Sequence, residues 1–166
     1  MKIQIIFICT VFLSCVNPFA PRLDLNDFGS SSILSDQKTV EGLLHNFRQS
    51  YLFKDTTVYG KLFSPDFIFI FRDYEKNTDV FWSRAEEMRT TYGLFQNSQR
   101  FDLTWNQTIS SHEDSLLMQL TKSFNLTVTF NPSDVIRING YANFTLARNS
   151  MDGEWHILRW RDESNF

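Results

Sequence analysis

The chain has 166 residues, and its 16 Lys and Arg against 19 Asp and Glu give a formal charge of −3 at neutral pH. That length suits one domain with a core of its own, and the acidic balance gives no reason to expect nucleic-acid binding, which needs a basic face. Both cysteines, Cys9 and Cys15, fall within the first fifteen residues, so no disulfide, thiol nucleophile or cysteine metal site is available to the remainder.

Met1-Lys2 makes a short positive start, and the stretch from Ile3 to Leu13 is apolar except for Gln4 and Thr10. About eleven residues are too few to cross a bilayer core, which takes about twenty, so residues 1–14 are expected to be a secretion signal. The following Phe12-Leu13-Ser14-Cys15 resembles the bacterial lipobox, with Phe12 where Leu is usual. The resemblance implies that Cys15 is acylated and begins the exported protein, with membrane lipid as its partner. Val16 is not the Asp that retains lipoproteins at an inner membrane. The implied address is therefore the cell envelope, lipid-anchored at the periplasmic face of the outer membrane. Ordinary cleavage, for example after Ala20, is the alternative. Residues 15–35 then carry Pro18, Pro21, Gly29 and Ser30-Ser31-Ser32 without periodicity and read as a tether. As a flexible coil of about 20 residues it spans roughly 25 Å.

From Asp36 the pattern turns helical, with Val40, Leu43, Leu44, Phe47 and Tyr51 forming one stripe behind a Ser35 or Asp36 cap. Thr56 to Leu62 is a shorter segment of the same kind, stopped by Ser64-Pro65. Phe67-Ile68-Phe69-Ile70-Phe71 is apolar on both faces and too short for a helix, which predicts a strand buried on much of both sides. Ser83-Arg84-Ala85-Glu86 has capping-box spacing, and Ala85, Met88, Tyr92 and Phe95 continue a helical face to about Phe95. Thereafter the period is two. Phe101, Leu103 and Trp105 mark one strand, and Leu116 to Phe130 a long one. Ile136, Ile138, Ala142, Phe144 and Leu146 mark the next, with Gly140 as a bulge or bend. Asp152-Gly153 signals a hairpin leading into Trp155 to Trp160.

Two helices, a strand, a helix and four antiparallel strands make an α+β domain over residues 36–166, with about three helices on one face of a curved, mostly antiparallel sheet. Three places carry a family likeness. They are Val40-x-x-Leu43-Leu44-x-x-Phe47-x-x-x-Tyr51 followed by Asp55, the strand entry Ser64-Pro65-Asp66-Phe67, and the closing run from Gly153 to Asp162. With them the chain resembles the nuclear transport factor 2-like superfamily, the cone-shaped fold of ketosteroid isomerase and SnoaL-like proteins. The stretches Phe71-Arg72-Asp73-Tyr74 and Arg89-Thr90-Thr91-x-Gly93-Leu94-Phe95 further resemble exported lipoproteins of that superfamily. The likeness implies a pocket between helices and concave sheet, with an acid or His as base and a Tyr or acid as donor in its enzymes. It does not transmit an activity, because the superfamily hosts several.

Lys122 stands out, since it falls in phase with Leu120, Phe124 and Leu126 on the face expected to be buried. It either lines a pocket, where burial would lower its pKa, or sits at a bulge that turns it to water. His156 alternates with Trp155 and Ile157 and so shares a face with Leu158 and Trp160, where it is either a pocket group or a structural histidine. Asp73, between Arg72 and Tyr74, is either a pocket rim or a solvated turn. Lys122, His156 and Asp73 are the acid–base candidates, and Lys122, Phe69, Phe124 and Trp160 the ligand-binding candidates. His112, Glu113 and Asp114 cluster without a distant fourth ligand and read as a polar hairpin loop, so no metal is expected. There is no Gly-rich phosphate loop, no Gly-x-Ser-x-Gly elbow and no His-Glu-x-x-His, and no cofactor is expected.

The 17 Phe, 4 Trp and 5 Tyr imply a packed aromatic core or an aromatic-lined pocket. The first expectation is a membrane-anchored protein that binds a small apolar ligand or a protein partner without catalysis. The alternative is an isomerase or hydrolase that uses acid–base groups in the same pocket. Thr127, Thr129, Arg137, Asn139, Tyr141 and Asn143 would form an open sheet face, through which a homodimer is possible.

Overall fold

The computed structural model describes residues 33–164, so the expected secretion signal, Cys15 and most of the expected tether lie outside the described residues. Helix α1 (Val40–Phe53) buries Leu43, Leu44, Phe47, Ser50 and Tyr51 on one side. Its cap is Thr39, whose side chain accepts from Gly42 N at 3.0 Å. Asp36 is taken up one turn earlier, accepting from Lys38 N, and the cap falls at Thr39 instead of the predicted Ser35 or Asp36. The packed chain begins before Asp36. Ser35 N donates to Asn46 Oδ1 at 2.8 Å, Asn46 Nδ2 donates to Ser35 O at 3.0 Å, and His45 Nε2 lies 3.0 Å from Ile33 O.

Helix α1 closes at Lys54 in the left-handed region, and α2 (Thr56–Lys61) starts at once behind Asp55, whose carboxylate accepts from Thr57 N and Val58 N. Strand β1 (Phe63–Asp73) follows, then β2 (Thr78–Ser83), a strand the sequence pattern does not announce. The β1–β2 hairpin turns at Asn77, with φ 52°. Helix α3 (Arg84–Asn97) carries the predicted capping box at Ser83 and Glu86. Its buried residues are Glu87, Thr91 and Phe95, whereas Tyr92 is exposed, so the helix is rotated from the expected apolar face.

Strands β3 (Arg100–Asp114), β4 (Leu117–Asn131), β5 (Asp134–Ala147) and β6 (His156–Ser164) complete one sheet, in the order β2-β1-β6-β5-β4-β3. All neighbours are antiparallel except β1 and β6. His112, Glu113 and Asp114 belong to β3 and pair with Gln119, Met118 and Leu117. They are strand, not loop, because the turn is confined to Ser115 and Leu116, with Ser115 at φ 48°. Gly140 is no bulge either, since its pairing with Phe124 is in continuous register. It permits a close approach: a Cβ there would stand 2.4 Å from Ser164 Cα.

The core is aromatic as expected. Phe47, 1% exposed, meets Tyr51, Tyr59, Trp105, Phe144 and Trp160 within 6.3 Å between ring centroids, joining α1 and α2 to β3, β5 and β6. Two side chains tie α1 to β3 through backbone carbonyls: Trp105 Nε1 donates to Leu44 O at 3.0 Å and Arg48 Nε to Leu103 O at 2.9 Å. Of the open-face residues, Arg137, Asn139 and Tyr141 are exposed and Thr127, Thr129 and Asn143 half-buried.

Candidate functional site

Cross-strand register lays the concave face out in rungs. Trp82, Phe69, Trp160 and Phe144 stand side by side on β2, β1, β6 and β5. Two residues further along each strand come Val80, Phe71, Asp162 and Ala142, with Lys122 next on β4. Above these rungs, bounded by Phe47 and Tyr51 of α1 and by Glu87, Thr91 and Leu94 of α3, lies a cavity of about 270 Å³. Most of its wall is aromatic or aliphatic, including Trp105, Phe124, Leu126, Val128 and Ile138. In pockets with such walls, a few polar groups fix a guest's orientation.

Two of those groups are carboxyls. Glu87 is 4% exposed, and one of its oxygens accepts both from Tyr59 OH at 2.5 Å and from Thr91 Oγ1 at 2.9 Å. Burial lifts its pKa above the ordinary value and the charge of Asp162 adds to the effect, while the Tyr59 and Thr91 hydroxyls oppose it. Trp82 Nε1 also favours the charged form of Glu87, although it makes no hydrogen bond of ordinary geometry. Asp162 is 9% exposed; Oδ2 accepts from Ser164 Oγ at 2.7 Å and Oδ1 has no partner. Burial raises its pKa, Ser164 opposes the shift, and Glu163 reinforces it. Burial likewise raises Tyr51 and Tyr59, with Glu87 adding to both, so both stay neutral donors.

The cavity wall includes Phe69, Phe124 and Trp160 among the ligand-binding candidates, but not Lys122. Lys122 does share the Asp162 rung, with Ala142 between them. However, β3 slips register on either side of Thr108, and Lys122 Nζ turns to Thr108 Oγ1 at 3.1 Å. The bulge that diverts it lies in the partner strand. His156 is also off the wall, at the start of β6, with Nδ1 3.1 Å from Glu154 O. Its expected companionship with Trp160 fails because β6 slips register against β5 between Ile157 and Arg159, so that Ile157 and Trp160 are both buried. Asp73 sits at the β1–β2 turn, accepting from Lys76 Nζ at 2.8 Å and Lys76 N at 3.0 Å, and these bonds lower its pKa. Neighbouring Arg72 pairs with Asp79, which also holds Arg161.

The carboxyls that do reach the cavity escaped sequence reasoning, though each left a phase signal. Asp162 follows Trp160 by two in a strand, and Glu87, Thr91 and Phe95 fall at i, i+4 and i+8 in a helix. Among the described residues no group of His, Cys, Asp and Glu is placed to hold a metal ion, and no helix is long and apolar enough to cross a membrane.

No family model matches the sequence, and no curated protein matches it. Solved structures do match. A conserved protein from Planctomyces limnophilus superposes with TM-score 0.66 at 15% identity, over 76% of this chain and 93% of its own. A protein from Novosphingobium aromaticivorans named as a scytalone dehydratase gives TM-score 0.65 at 12% identity, over 76% and 82%. One from Streptomyces avermitilis, named as a dehydratase of the nuclear transport factor 2-like family, gives 0.57 at 12%, over 72% and 88%. At such identities the likeness is one of fold. The described residues share the α+β fold of these structures, one of which is named for the nuclear transport factor 2-like family.

Proposed function

We propose that the cone cavity receives a small, neutral, largely apolar molecule. The observation that carries this reading is the wall itself: a space of about 270 Å³ bounded by aromatic and aliphatic side chains, with no Lys, Arg or His on it. Taking about 30 Å³ as one water's share of liquid volume, the space is equivalent to roughly nine waters, which suits a one- or two-ring compound. Trp82, Trp105 and Trp160 line it, so tryptophan emission reports occupancy. Titration with naphthalene is expected to quench that emission saturably, and Val128→Trp, which fills the space, to abolish the effect. Naphthalene leaving the emission of the parent protein unchanged overturns the reading.

A second reading, acid–base catalysis on the same guest, is favoured by Glu87 and Asp162. Two carboxyls raised by burial, with the charge of Asp162 adding to the shift at Glu87, are suited to a division of labour in which one keeps its proton and the other gives it up. Incubation of the protein with an extract of its own cells in deuterated water tests this. A compound that gains deuterium with the parent protein and not with Glu87→Gln supports an enzyme; no labelled compound with either leaves a binder.

We also propose that Cys15 anchors the protein to the envelope, at the periplasmic face of an outer membrane. Support comes from the apolar run before it and from its place in Phe12-Leu13-Ser14-Cys15. Intact mass of the protein extracted from membranes is expected to show an acylated chain starting at Cys15, and an unmodified chain starting after Ala20 overturns the anchor.

A further inference from the structure

Glu87 borders the cavity and keeps almost no contact with water, being 4% exposed. The groups that act on it come from several elements. Tyr59 of α2 and Thr91 of its own helix donate to one of its oxygens, and Tyr51 of α1 lies against Tyr59, with ring centroids 5.6 Å apart. Strand β2 brings the Trp82 indole, which makes no hydrogen bond of ordinary geometry, and β6 brings Asp162, a like charge. Arg84, one turn back on α3, donates to Gly60 O at 2.7 Å. Strands β1, β3, β4 and β5 give the wall aromatic and aliphatic side chains, and among the described residues no cation stands on it. A charge placed there depends on its hydroxyl donors and on the water that fills the cavity. An apolar guest replaces that water with groups that cannot hydrogen-bond, at a cost that falls on the charged carboxyl and far less on the neutral one. Burial by the protein already acts on Glu87 in this direction. The Tyr59 and Thr91 bonds are compatible with either form, because a protonated carboxyl still accepts through its carbonyl oxygen.

Resting on the reading of the cavity as an apolar binding site, we propose that the site takes up its guest together with a proton held by Glu87, so that capture is favoured on the acid side and release on the neutral side. The proton comes from solvent, and no bond of the guest is made or broken. At low pH the empty and the filled protein both carry the proton, and affinity is at its ceiling. At high pH neither carries it, and affinity is at its floor. Asp162 is not the seat of this coupling. Its Oδ1 is already closed off without a partner, and its residue also borders an outer hollow beside Arg72 and Tyr141, so filling the cone changes its surroundings less.

The probe is naphthalene, which has no titratable group, so any pH dependence of its binding belongs to the protein. Titrations of the full-length protein at about pH 5 and about pH 8, read by tryptophan emission, are expected to show binding about threefold or more tighter at the lower pH, a ratio within the reach of carboxyl desolvation. In weakly buffered solution at about pH 6, naphthalene added to the parent protein is expected to turn an indicator dye towards alkaline as the proton is taken up, a measurement that needs no variant. Glu87→Gln keeps an acceptor for Tyr59 and Thr91 and carries no charge, and is expected to bind equally at both pH values and to leave the dye unchanged. Asp162→Asn is expected to retain the pH dependence. Equal binding at both pH values with no proton taken up, or a pH dependence that survives in Glu87→Gln, overturns the coupling and leaves the cavity standing. Binding at neither pH removes the cavity reading itself, and this inference with it.

Discussion

Glu87 and Asp162 set the pH response at the scale of single residues. Burial raises both in the folded chain, whereas in the unfolded chain they return to ordinary carboxylate values. The folded state therefore binds their protons more tightly. Their contribution to stability is full below the ordinary carboxylate range and is lost as pH rises through the raised values. Asp73, Asp79 and Glu86 run the other way. Hydrogen bonds from Lys76, from Arg161 and Arg72, and from Ser83 lower their pKa values, so their contribution is lost as pH falls. Glu87→Gln is thus expected to flatten the fall of melting temperature on the neutral side and to leave the acid limb in place. Scanning calorimetry from about pH 4 to about pH 8 measures both limbs. An unchanged neutral limb would count against a raised Glu87. Such residues are hard to see in a sequence, because a carboxylate at a helix position reads as solvent-facing until its hydroxyl donors, here on α2 and one turn along α3, are known.

Strands and helices show where periodicity suffices and where it fails. Helix α1 was legible because its stripe is long, and α3 because its capping box is local. The buried face of α3 was not, since a helix that buries Glu87 and Thr91 has no apolar stripe to follow. Strand β2 was hidden because it is six residues long and exposed or half-buried throughout. In β3 and β6 register slips change which residues face inwards, and that is a property of the pair, not of either strand. At β5, a methyl on Gly140 would collide with the Ser164 backbone, so Gly140→Ala is expected to destabilise by about 1–3 kcal/mol in urea denaturation, through displacement of the β6 end that carries Asp162. In α1, Phe47→Ala leaves a void between helices and sheet and is expected to cost about 3–5 kcal/mol by the same measurement.

Over the described molecule, a helical layer and one sheet close on an aromatic core without a disulfide, so non-covalent contacts hold the cone. Distant chain ends are stitched together near its base. Gln37 Nε2 donates to Trp155 O at 2.8 Å, and Trp155 N donates to Gln37 O at 2.9 Å, across more than a hundred residues. Gln37→Ala leaves the Trp155 carbonyl without that donor and is expected to lower stability by about 1–3 kcal/mol, read from the shift of the urea midpoint at constant slope. A change in slope would instead signal a looser native or denatured state.

Period and punctuation by themselves determined the fold class, the helical stripe of α1, the α3 cap and the aromatic character of the interior, because each depends on neighbours within one or two turns of chain. The same local logic supports the expectation at Cys15. Which carboxyls face the cavity was decided only by tertiary structure. Lys122, His156 and Asp73 are drawn to local partners outside it. Glu87 and Asp162 are brought to one wall by the rotation of α3 and the register of β6 with β1 and β5. The physical reason is that burial and pairing between strands are long-range quantities. A residue's periodicity tells which side of its own element it occupies, and the assembled sheet tells what that side meets.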